Sequence, residues 1–400
     1  MDIHHTPEQQ MLSDGVDRFV REHARFEDWR KLTAAGRPYD EGNWRRMADM
    51  GWLALAIPEA HGGFGASAAE IMIVAEGMGR GLLREPFVST CVLAVRLLAR
   101  GGTAQQCELF EGIADGSVRI ATALAEASGR FHLNHVHTRA AAEGTGYRLS
   151  GHKSWVPDAS TAQWLIVPAR TQGAVDERAG ISLFLVPADA AGLQRTDFRA
   201  PDHQQISQLQ LEGVQLPASA LLGPLHGGLA LLEEAVDHAI AARLAEACGA
   251  MDAVSDMTLD YLKVRKQFGV TIGSFQALQH RMVDMRIACE ESRGMLQLAR
   301  ASLDAEPAQR QRAMAAAKAR VGQCGLYVGH QAVQLHGGVG TSDELAVSHY
   351  LKRLAMIDVA YGNADFQRDR FIALSDAAPG PEAMPAPATQ PASAHQEQFA

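Results

Sequence analysis

Apolar residues recur at helical spacing in the first part of the chain. The segment TPEQ (Thr6–Gln9) places a proline and an acid in a first helical turn, and Val16 and Phe19 follow on one face. A further helical stretch, Ser67–Met78, begins at a polar residue suited to capping. The pattern predicts a helical domain over residues 1–118.

The pattern changes between residues 119 and 222. Short runs rich in β-branched and aromatic residues are separated there by Gly, Pro and Asp, which is typical of strands and turns. The clearest runs are Tyr147–Ser150, Trp164–Pro168 and Ile181–Pro187. They predict a middle domain built as a β-barrel or β-sandwich.

Long apolar-periodic segments with few helix breakers return over residues 223–376. Ala242–Lys263 and Gln276–Leu303 are examples, and they indicate an antiparallel helical bundle. Residues 377–400 are rich in Pro, Ala and Gln and poor in large apolar side chains, so we expect a disordered tail there.

Composition excludes several classes of protein. A chain of 400 residues is too long for one ordinary hydrophobic core, and its formal net charge of −9 without a basic cluster argues against nucleic-acid binding. No apolar run approaches the roughly 20 residues that span a bilayer, and the start lacks the features of a signal peptide. We therefore expect a cytoplasmic protein that does not insert into membranes.

The five cysteines are scattered without a CxxC pair, which suits a reducing compartment. We expect buried, unreactive thiols. His132, His135 and His137 lie close together in sequence, but no cysteine or acid at matching spacing completes a metal site, so an exposed polar hairpin is the preferred interpretation over a metal site.

Four segments occur in an order and at separations that resemble the acyl-CoA dehydrogenase family. They are IPEAHGGFG (57–65), GHKSW (151–155), RKQFG (265–269) followed by Phe275-Gln276, and QLHGGVGTSDE (334–344). Each segment alone is a weak signal, but together they are specific and cover the chain to about residue 376. The resemblance implies an α+β fold of an N-terminal helical domain, a middle β domain and a C-terminal four-helix bundle.

The resemblance also implies FAD chemistry on an acyl-CoA thioester. In the family a carboxylate removes the α-proton and the flavin accepts the β-hydride, with electron-transfer flavoprotein as the expected electron acceptor. The family's Tyr-Glu-Gly-Thr motif corresponds here to Ala360-Tyr361-Gly362-Asn363, so Tyr361 stands where the glutamate would be. With an ordinary pKa near 10, a tyrosine is a poor base, and no catalytic residue is assigned.

Some family members carry the glutamate on an early bundle helix instead. An ungapped alignment from Arg265 puts that position at Ala239. Asp237 and His238 are neighbours in sequence, but one or two helix positions rotate a side chain by roughly 100 or 200 degrees. A relocated base at either residue is therefore a minor hypothesis, and solvated helix residues are the expected alternative.

The part of the sequence that would surround the flavin ring is altered. The family's Thr-Glu-Pro segment reads Ala125-Glu126-Ala127 here, and Pro157 stands where a hydroxyl residue is usual. Proline supplies neither a hydroxyl nor an N–H group. Trp155 can still pack over a ring, although a tryptophan at such a position is as often part of the core.

The groups that the family sends across a subunit interface to a neighbour's FAD remain. Arg265 is suited to a diphosphate by charge-assisted hydrogen bonds, and glycines permit backbone approach. The predicted FAD contacts are Arg265, Phe268, Gln276, Gln334, Gly337, Gly338 and Trp155. Taken singly, Arg265 could serve only in an ion pair, and Gly337-Gly338 only as a turn that ends a helix.

This asymmetry resembles the small, non-catalytic subunits of heteromeric acyl-CoA dehydrogenases, and the similarity is greatest to the pimeloyl-CoA dehydrogenase small-subunit group. The implied partners are an acyl-CoA substrate and a paralogous subunit, with a homo-oligomer as the other arrangement. Two alternatives stay open. One is a self-sufficient dehydrogenase with a relocated base, and the other is a flavin-free scaffold or regulatory subunit.

Overall fold

The computed structural model describes residues 5–376, and its first third is helical. The helices are α1 (Pro7–His23), α2 (Phe26–Ala34), α3 (Glu41–Asp49), α4 (Ala68–Arg80), α5 (Val95–Gly101), α6 (Ala104–Cys107) and α7 (Leu109–Ala114). Short 3₁₀ turns cover Trp52–Ala54 and Glu59–His61, and a π-helix covers Phe87–Ala94. Thr6 and Gln9 form a capping box at the start of α1, so the predicted helix start is confirmed.

The middle of the chain forms one eight-stranded sheet. Its strands are β1 (Ile120–Thr122), β2 (Arg139–Glu143), β3 (Gly146–Pro157), β4 (Trp164–Arg170), β5 (Ile181–Pro187), β6 (Leu193–Arg199), β7 (Gln205–Pro217) and β8 (Leu221–Leu222). The spatial order is β6-β7-β3-β2-β4-β5-β8, and β1 runs parallel to β4. The three runs predicted as strands lie within β3, β4 and β5, so these assignments are confirmed.

The last part of the described chain is a helical bundle. It contains α8 (Gly228–Val264), α9 (Gln276–Ser302), α10 (Pro307–His336), α11 (Val347–Val359) and α12 (Ala364–Asp376). A hairpin of β9 (Lys266–Gln267) and β10 (Val270–Thr271) separates α8 from α9. Short 3₁₀ turns cover Ala218–Ala220, Ile272–Ser274 and Gly337–Thr341. The predicted α+β fold is confirmed, and the expected tail at 377–400 lies outside the described residues.

Helices α4 and α8 join the two helical parts by a close crossing. A Cβ atom added to Gly79 would lie 1.8 Å from the carbonyl oxygen of Glu246, and one added to Gly249 would lie 2.0 Å from that of Glu76. Only glycine fits at such a distance. The contact produces one continuous core that includes residues of both helical parts, while the sheet buries a second core of its own.

The five cysteines are all buried free thiols, as predicted. Within residues 5–376, no helix combines the length and the apolar character needed to cross a membrane.

Glu85 generates a prediction about stability and pH. Its side chain is only 5 % exposed, and burial raises its pKa to about 7. The folded state holds the proton of Glu85 more tightly than the unfolded state does. The resulting contribution to the free energy of unfolding is complete below about pH 4.5 and is lost as the pH rises through 7. We expect Glu85→Gln to be more stable than the wild type at pH 8 by up to roughly 3 kcal/mol, and not at pH 4.5.

Urea unfolding of both proteins across this pH range measures the difference. A stability difference that stays constant across this pH range would contradict the prediction. Such a difference would reflect altered packing, because only the titration of Glu85 makes the difference depend on pH.

Candidate functional site

A cleft of about 330 Å³ lies where the sheet meets the helices. The π-helix contributes Ser89 and Leu93, α8 contributes Arg243, and α11 contributes Arg353. Most of the wall is apolar, and its large apolar members are Leu93, Leu124, Phe131, Leu133, Trp155, Ile206, Met356 and Ile357. A mostly apolar cavity with a few polar groups is the usual form of a small-molecule site.

A β-bulge brings Trp155 into this cleft. Lys153 pairs with Leu209 and Val156 pairs with Ser207, so β3 advances three residues while β7 advances two. Trp155 falls in the bulge with φ of 55°, remains 37 % exposed and places its ring 5.8 Å from that of Phe198. Trp155 therefore lines the cleft rather than the core.

A buried ion pair holds the opposite wall in place. The Lys153 Nζ donates to Glu126 at 2.8 Å, and the same carboxylate accepts from the backbone N–H groups of His137 and Thr138. Burial would raise the pKa of Glu126, but Lys153 and these donors together hold it below its ordinary value. Glu126 is thus a neutralised structural anion, and its neighbours Ala125 and Ala127 complete the wall without hydroxyl groups.

Tyr361 lies in the cleft on a tightly held turn. Its φ is 58°, and the following Gly362 has φ of 103°. The buried Lys318 Nζ donates to the carbonyl oxygens of Asp358 at 2.6 Å and Gly362 at 3.0 Å, and Gln367 donates to the carbonyl of Tyr361 at 2.6 Å. Backbone carbonyls on both sides of the tyrosine are therefore fixed from α10 and α12.

The environment of Tyr361 keeps its phenol protonated. Burial raises the pKa of Tyr361 above its ordinary value, and the charge and hydrogen bond of Arg243 only partly oppose that rise. The expectation that this residue is a poor base agrees with its surroundings.

A cluster of buried charges closes the same end of the cleft. Glu246 accepts from Arg243 Nη1 at 2.5 Å and from Arg353 Nε at 2.6 Å, and Arg353 Nη1 also donates to Asp202 at 2.7 Å. Burial would raise the pKa of Glu246, but the two guanidinium groups hold it below its ordinary value. The sequence analysis missed this cluster, although Arg243 and Glu246 are conspicuous as charges in the apolar run 239–247.

Two further polar groups accompany the cluster. Asp158, with φ of 62°, accepts a 2.5 Å hydrogen bond from Ser89, and burial raises the pKa of its carboxyl. Thr122 lines the cleft at 4 % exposure, and its Oγ1 has no hydrogen-bond partner among residues 5–376.

Asp237 and His238 do not line the cleft. The expectation that they are solvated is wrong for Asp237, which is fully buried and accepts from Arg310 Nε at 2.9 Å. His238 is also largely buried, and this burial lowers its pKa to about 3. Asp237 belongs to the contact of α8 with α10 and α12, whereas the charges near His238 include Arg96 and Arg100 of α5.

The other predicted FAD contacts lie away from the cleft, on the surface of the bundle. Arg265, Phe268, Gln276, Gln334, Gly337 and Gly338 are all exposed, and Phe268 reaches 92 % at the tip of the hairpin. Tyr261 connects the two segments that carry them, because its backbone carbonyl accepts from the Arg265 N–H while its ring stacks on His336 at 4.4 Å.

This surface is open and carries a cation. Within residues 5–376, Arg265 has no ion-pair partner, so the interpretation as a simple ion pair receives no support. Gly337 does end α10 with φ of 63°, but Cβ atoms added at Gly337 or Gly338 would meet no atom within 4 Å. The backbone there is open to a ligand. We call Arg265, Phe268, Gln276, Gln334, Gly337 and Gly338 the bundle surface patch.

The clustered histidines lie in a loop rather than on a strand face. His135 and His137 have ring centroids 4.9 Å apart, and His135 Nε2 lies 3.2 Å from Ser128 Oγ. In the part of the chain that the structure describes, no group of three or more His, Cys, Asp or Glu side chains is arranged to hold a metal ion.

The sequence matches three domains of one family in order. The acyl-CoA dehydrogenase N-terminal domain matches residues 6–117, the middle domain 121–214 and the C-terminal domain 226–373. A solved "steroid ACAD", Tcur3481-Tcur3483, is 32 % identical with a TM-score of 0.83, over 92 % of this chain and 98 % of that one. The chain belongs to the acyl-CoA dehydrogenase family.

Two further relatives have similar coverage. A probable acyl-CoA dehydrogenase of Bacillus subtilis, YngJ, is 28 % identical over 92 % of this chain and 98 % of that protein. The ChsE4-ChsE5 complex of Mycobacterium tuberculosis includes a chain that is 28 % identical with a TM-score of 0.81, over 95 % of this chain and all of that one.

Family membership makes FAD the cofactor, as the sequence predicts. When bound, FAD accepts the hydride in the family's reaction. The residues of this acyl-CoA dehydrogenase chain fit the two ends of FAD unequally. The bundle surface patch offers a guanidinium group, two amides and open glycine backbone, whereas Ala125 and Pro157 bring no hydroxyl groups to the cleft and Tyr361 brings no carboxylate.

Arg353 generates a prediction about stability. Its removal would leave the buried Asp202 without its cation and Glu246 with one guanidinium group in place of two. Breaking a buried pair in this way costs about 3 to 5 kcal/mol. We expect Arg353→Met to lose that much unfolding free energy in urea.

Arg368→Met is the matched control, because Arg368 pairs with Asp365 at 2.8 Å on the surface. That pair is worth less than about 1 kcal/mol. Equal effects of the two substitutions would show that the buried cluster contributes no more than an exposed pair.

Proposed function

We propose that this chain is the subunit of a hetero-oligomeric acyl-CoA dehydrogenase that completes the FAD site of a paralogous, catalytic subunit. The observation that carries the proposal is that the cleft and the bundle surface patch lie apart in this chain. The cleft contains Tyr361 in place of a base, while the bundle surface patch is exposed and offers an unpaired arginine.

The chemistry of the cleft supports a subunit that does not itself abstract the α-proton. A thioester α-proton requires an anionic acceptor, and the phenol of Tyr361 is protonated. The carboxylates nearest to it are already engaged, since Glu246 is held by two guanidinium groups and Asp158 by Ser89. A self-sufficient enzyme with its base at Asp237 or His238 is not favoured, because neither residue lines the cleft.

The geometry of the bundle surface patch supports a contribution to another subunit. Six predicted FAD contacts form an exposed patch outside the lining of the cleft, which is where a neighbouring chain can be reached. The apolar side chains of Val264, Phe268, Val270 and Phe275 are also exposed beside Arg265, as expected of a surface that a partner covers.

The solved relatives support a two-protein assembly. The names Tcur3481-Tcur3483 and ChsE4-ChsE5 each denote a pair of proteins. The resemblance to the small subunit of pimeloyl-CoA dehydrogenase supports the same division of labour without defining the acyl group. Electron-transfer flavoprotein is the electron acceptor that we propose for the assembled enzyme.

The first test uses the chain purified alone. We expect little bound FAD and no oxidation of acyl-CoA thioesters, because Ala125 and Pro157 replace the family's hydroxyl contacts to the flavin and Tyr361 replaces the base. Visible absorbance and a dye-linked activity assay measure the two properties. Stoichiometric flavin together with turnover of an acyl-CoA thioester would contradict the proposal and favour the self-sufficient enzyme.

The second test uses Arg265→Ala in the complex with its co-expressed partner. A charge-assisted hydrogen bond to a diphosphate is worth about 1.5 to 3 kcal/mol, so FAD retention should weaken by roughly ten- to a hundredfold. The two chains should still copurify, because one exposed arginine contributes little to a large apolar interface. Equilibrium dialysis of FAD measures the change.

Lys263→Ala provides the matched control for charge. Lys263 lies two residues before Arg265 and makes only a surface pair with Asp260 at 3.7 Å. FAD affinity that is unchanged by Arg265→Ala in an assembled complex would favour the flavin-free scaffold. An equal loss in both variants would assign the effect to general surface charge.

A further inference from the structure

The polar end of the cleft presents hydrogen-bond donors where a dehydrogenase needs an acceptor. Arg243 and Tyr361 both line the cleft, and the positive charge of the guanidinium group lies near the phenol. An arginine can only donate, so the O–H proton of Tyr361 must point to another acceptor. Among residues 5–376, the Tyr361 hydroxyl donates no hydrogen bond to a protein acceptor.

Arg243 also has N–H groups that donate to no protein acceptor among the described residues. A guanidinium group carries five N–H donors. Within the described part of the chain, the hydrogen-bond partner of Arg243 is Glu246. Its side chain is buried except for a small part that lines the cleft, so its remaining donors are available to a molecule there.

The charges that face the cleft favour an anion. The charged side chains of its lining are Glu126, Arg130, Arg243 and Arg353. Glu126 is neutralised by Lys153 and two backbone N–H groups. The carboxylates that balance Arg243 and Arg353, on Glu246 and Asp202, are not part of the lining. The carboxyl of Asp158 also lies near this end, behind Ser89 and outside the lining. The charged groups that reach the cleft surface itself at this end are therefore the guanidinium groups of Arg243 and Arg353.

Thr122 provides an independent indication of a ligand. Its Oγ1 is buried in the cleft wall without a partner, and an unsatisfied buried hydroxyl costs about 1 to 3 kcal/mol. A second polar atom on a bound molecule would satisfy it. The volume of about 330 Å³ is at the lower end of small-molecule sites, which span roughly 300 to 1,000 Å³.

We propose that the cleft of this subunit binds the carboxylate end of an apolar molecule and does not oxidise it. Tyr361 and Arg243 donate hydrogen bonds to the carboxylate oxygens, and the hydrocarbon part contacts apolar walls such as Leu93 and Phe131. This inference rests on the proposed function in one respect, namely that the cleft holds no flavin of its own.

The test is a titration of the flavin-free chain with three probes of equal chain length: decanoate, methyl decanoate and decan-1-ol. Calorimetry gives the affinities, and the fluorescence of Trp155 at the cleft, identified by its loss in Trp155→Phe, locates the binding. We expect decanoate to bind roughly ten- to a hundredfold more tightly than the other two probes, because only decanoate accepts charge-assisted hydrogen bonds from both residues.

Two variants assign the contacts. Arg243→Gln should remove most of the preference for decanoate. Tyr361→Phe keeps the ring and its packing and should weaken decanoate binding by roughly three- to tenfold. Tyr350→Phe is the matched control, since it deletes a buried phenol that donates to the Arg80 carbonyl outside the cleft, and binding should not change.

Equal affinity for decanoate and its methyl ester, or no binding of decanoate, would overturn the inference. If Arg243→Gln does not fold, an unchanged decanoate affinity in Tyr361→Phe would overturn it on its own. Failure of the proposed function is a separate observation, because it appears as flavin absorbance and turnover in the lone chain. In that case the titration with the three probes, carried out after removal of the flavin, still tests whether the cleft prefers a carboxylate.

Discussion

Glu246 is the constraint on which the arrangement of the cleft depends. It is a buried carboxylate on α8 that two guanidinium groups contact, one from the same helix and one from α11. Through Arg353 the same cluster extends to Asp202 in the loop between β6 and β7. A buried ion costs several kcal/mol unless its partners are in place, so the cluster favours the mutual arrangement of these three parts of the chain in which every charge is paired. That arrangement sets the depth and the polarity of the cleft.

The backbone supports this cluster by close helix contact. Gly79 and Gly249 allow α4 and α8 to touch along their backbones, and this contact involves the carbonyl of Glu246 itself. Lys318 then fixes the turn after α11 through the carbonyls of Asp358 and Gly362, although burial lowers its pKa to about 8. The backbone at Tyr361, where the family carries its catalytic base, therefore has little freedom, whichever side chain it bears.

The sequence predicted the elements that local patterns determine. The strands from Trp164 and Ile181 and the helix from Gln276 were recognised, because alternation and helical spacing report on one face of one element. The bulge at Trp155 and the proximity of Arg243 to Tyr361 were not, since they depend on the register of β3 with β7 and on the position of α8 beside the turn after α11. Asp237 was expected to be solvated because a charge on a helix usually is, and tertiary burial by α10 reversed that expectation.

The replacement of a carboxylate by Tyr361 reverses the polarity of the site rather than only removing a base. A glutamate would accept a proton and would add a negative charge beside Glu246 and Asp158, whose carboxyls already lie near this position. The phenol adds no charge, lies near the Arg243 guanidinium group and offers a proton to the cleft. A site with this donor pattern repels neither an anion nor a carbonyl oxygen, and it cannot take up the α-proton of a thioester. On the function and the ligand proposed above, the same substitution accounts both for the missing α-proton chemistry and for the binding of an oxygen-bearing ligand. The bundle surface patch depends on none of these groups.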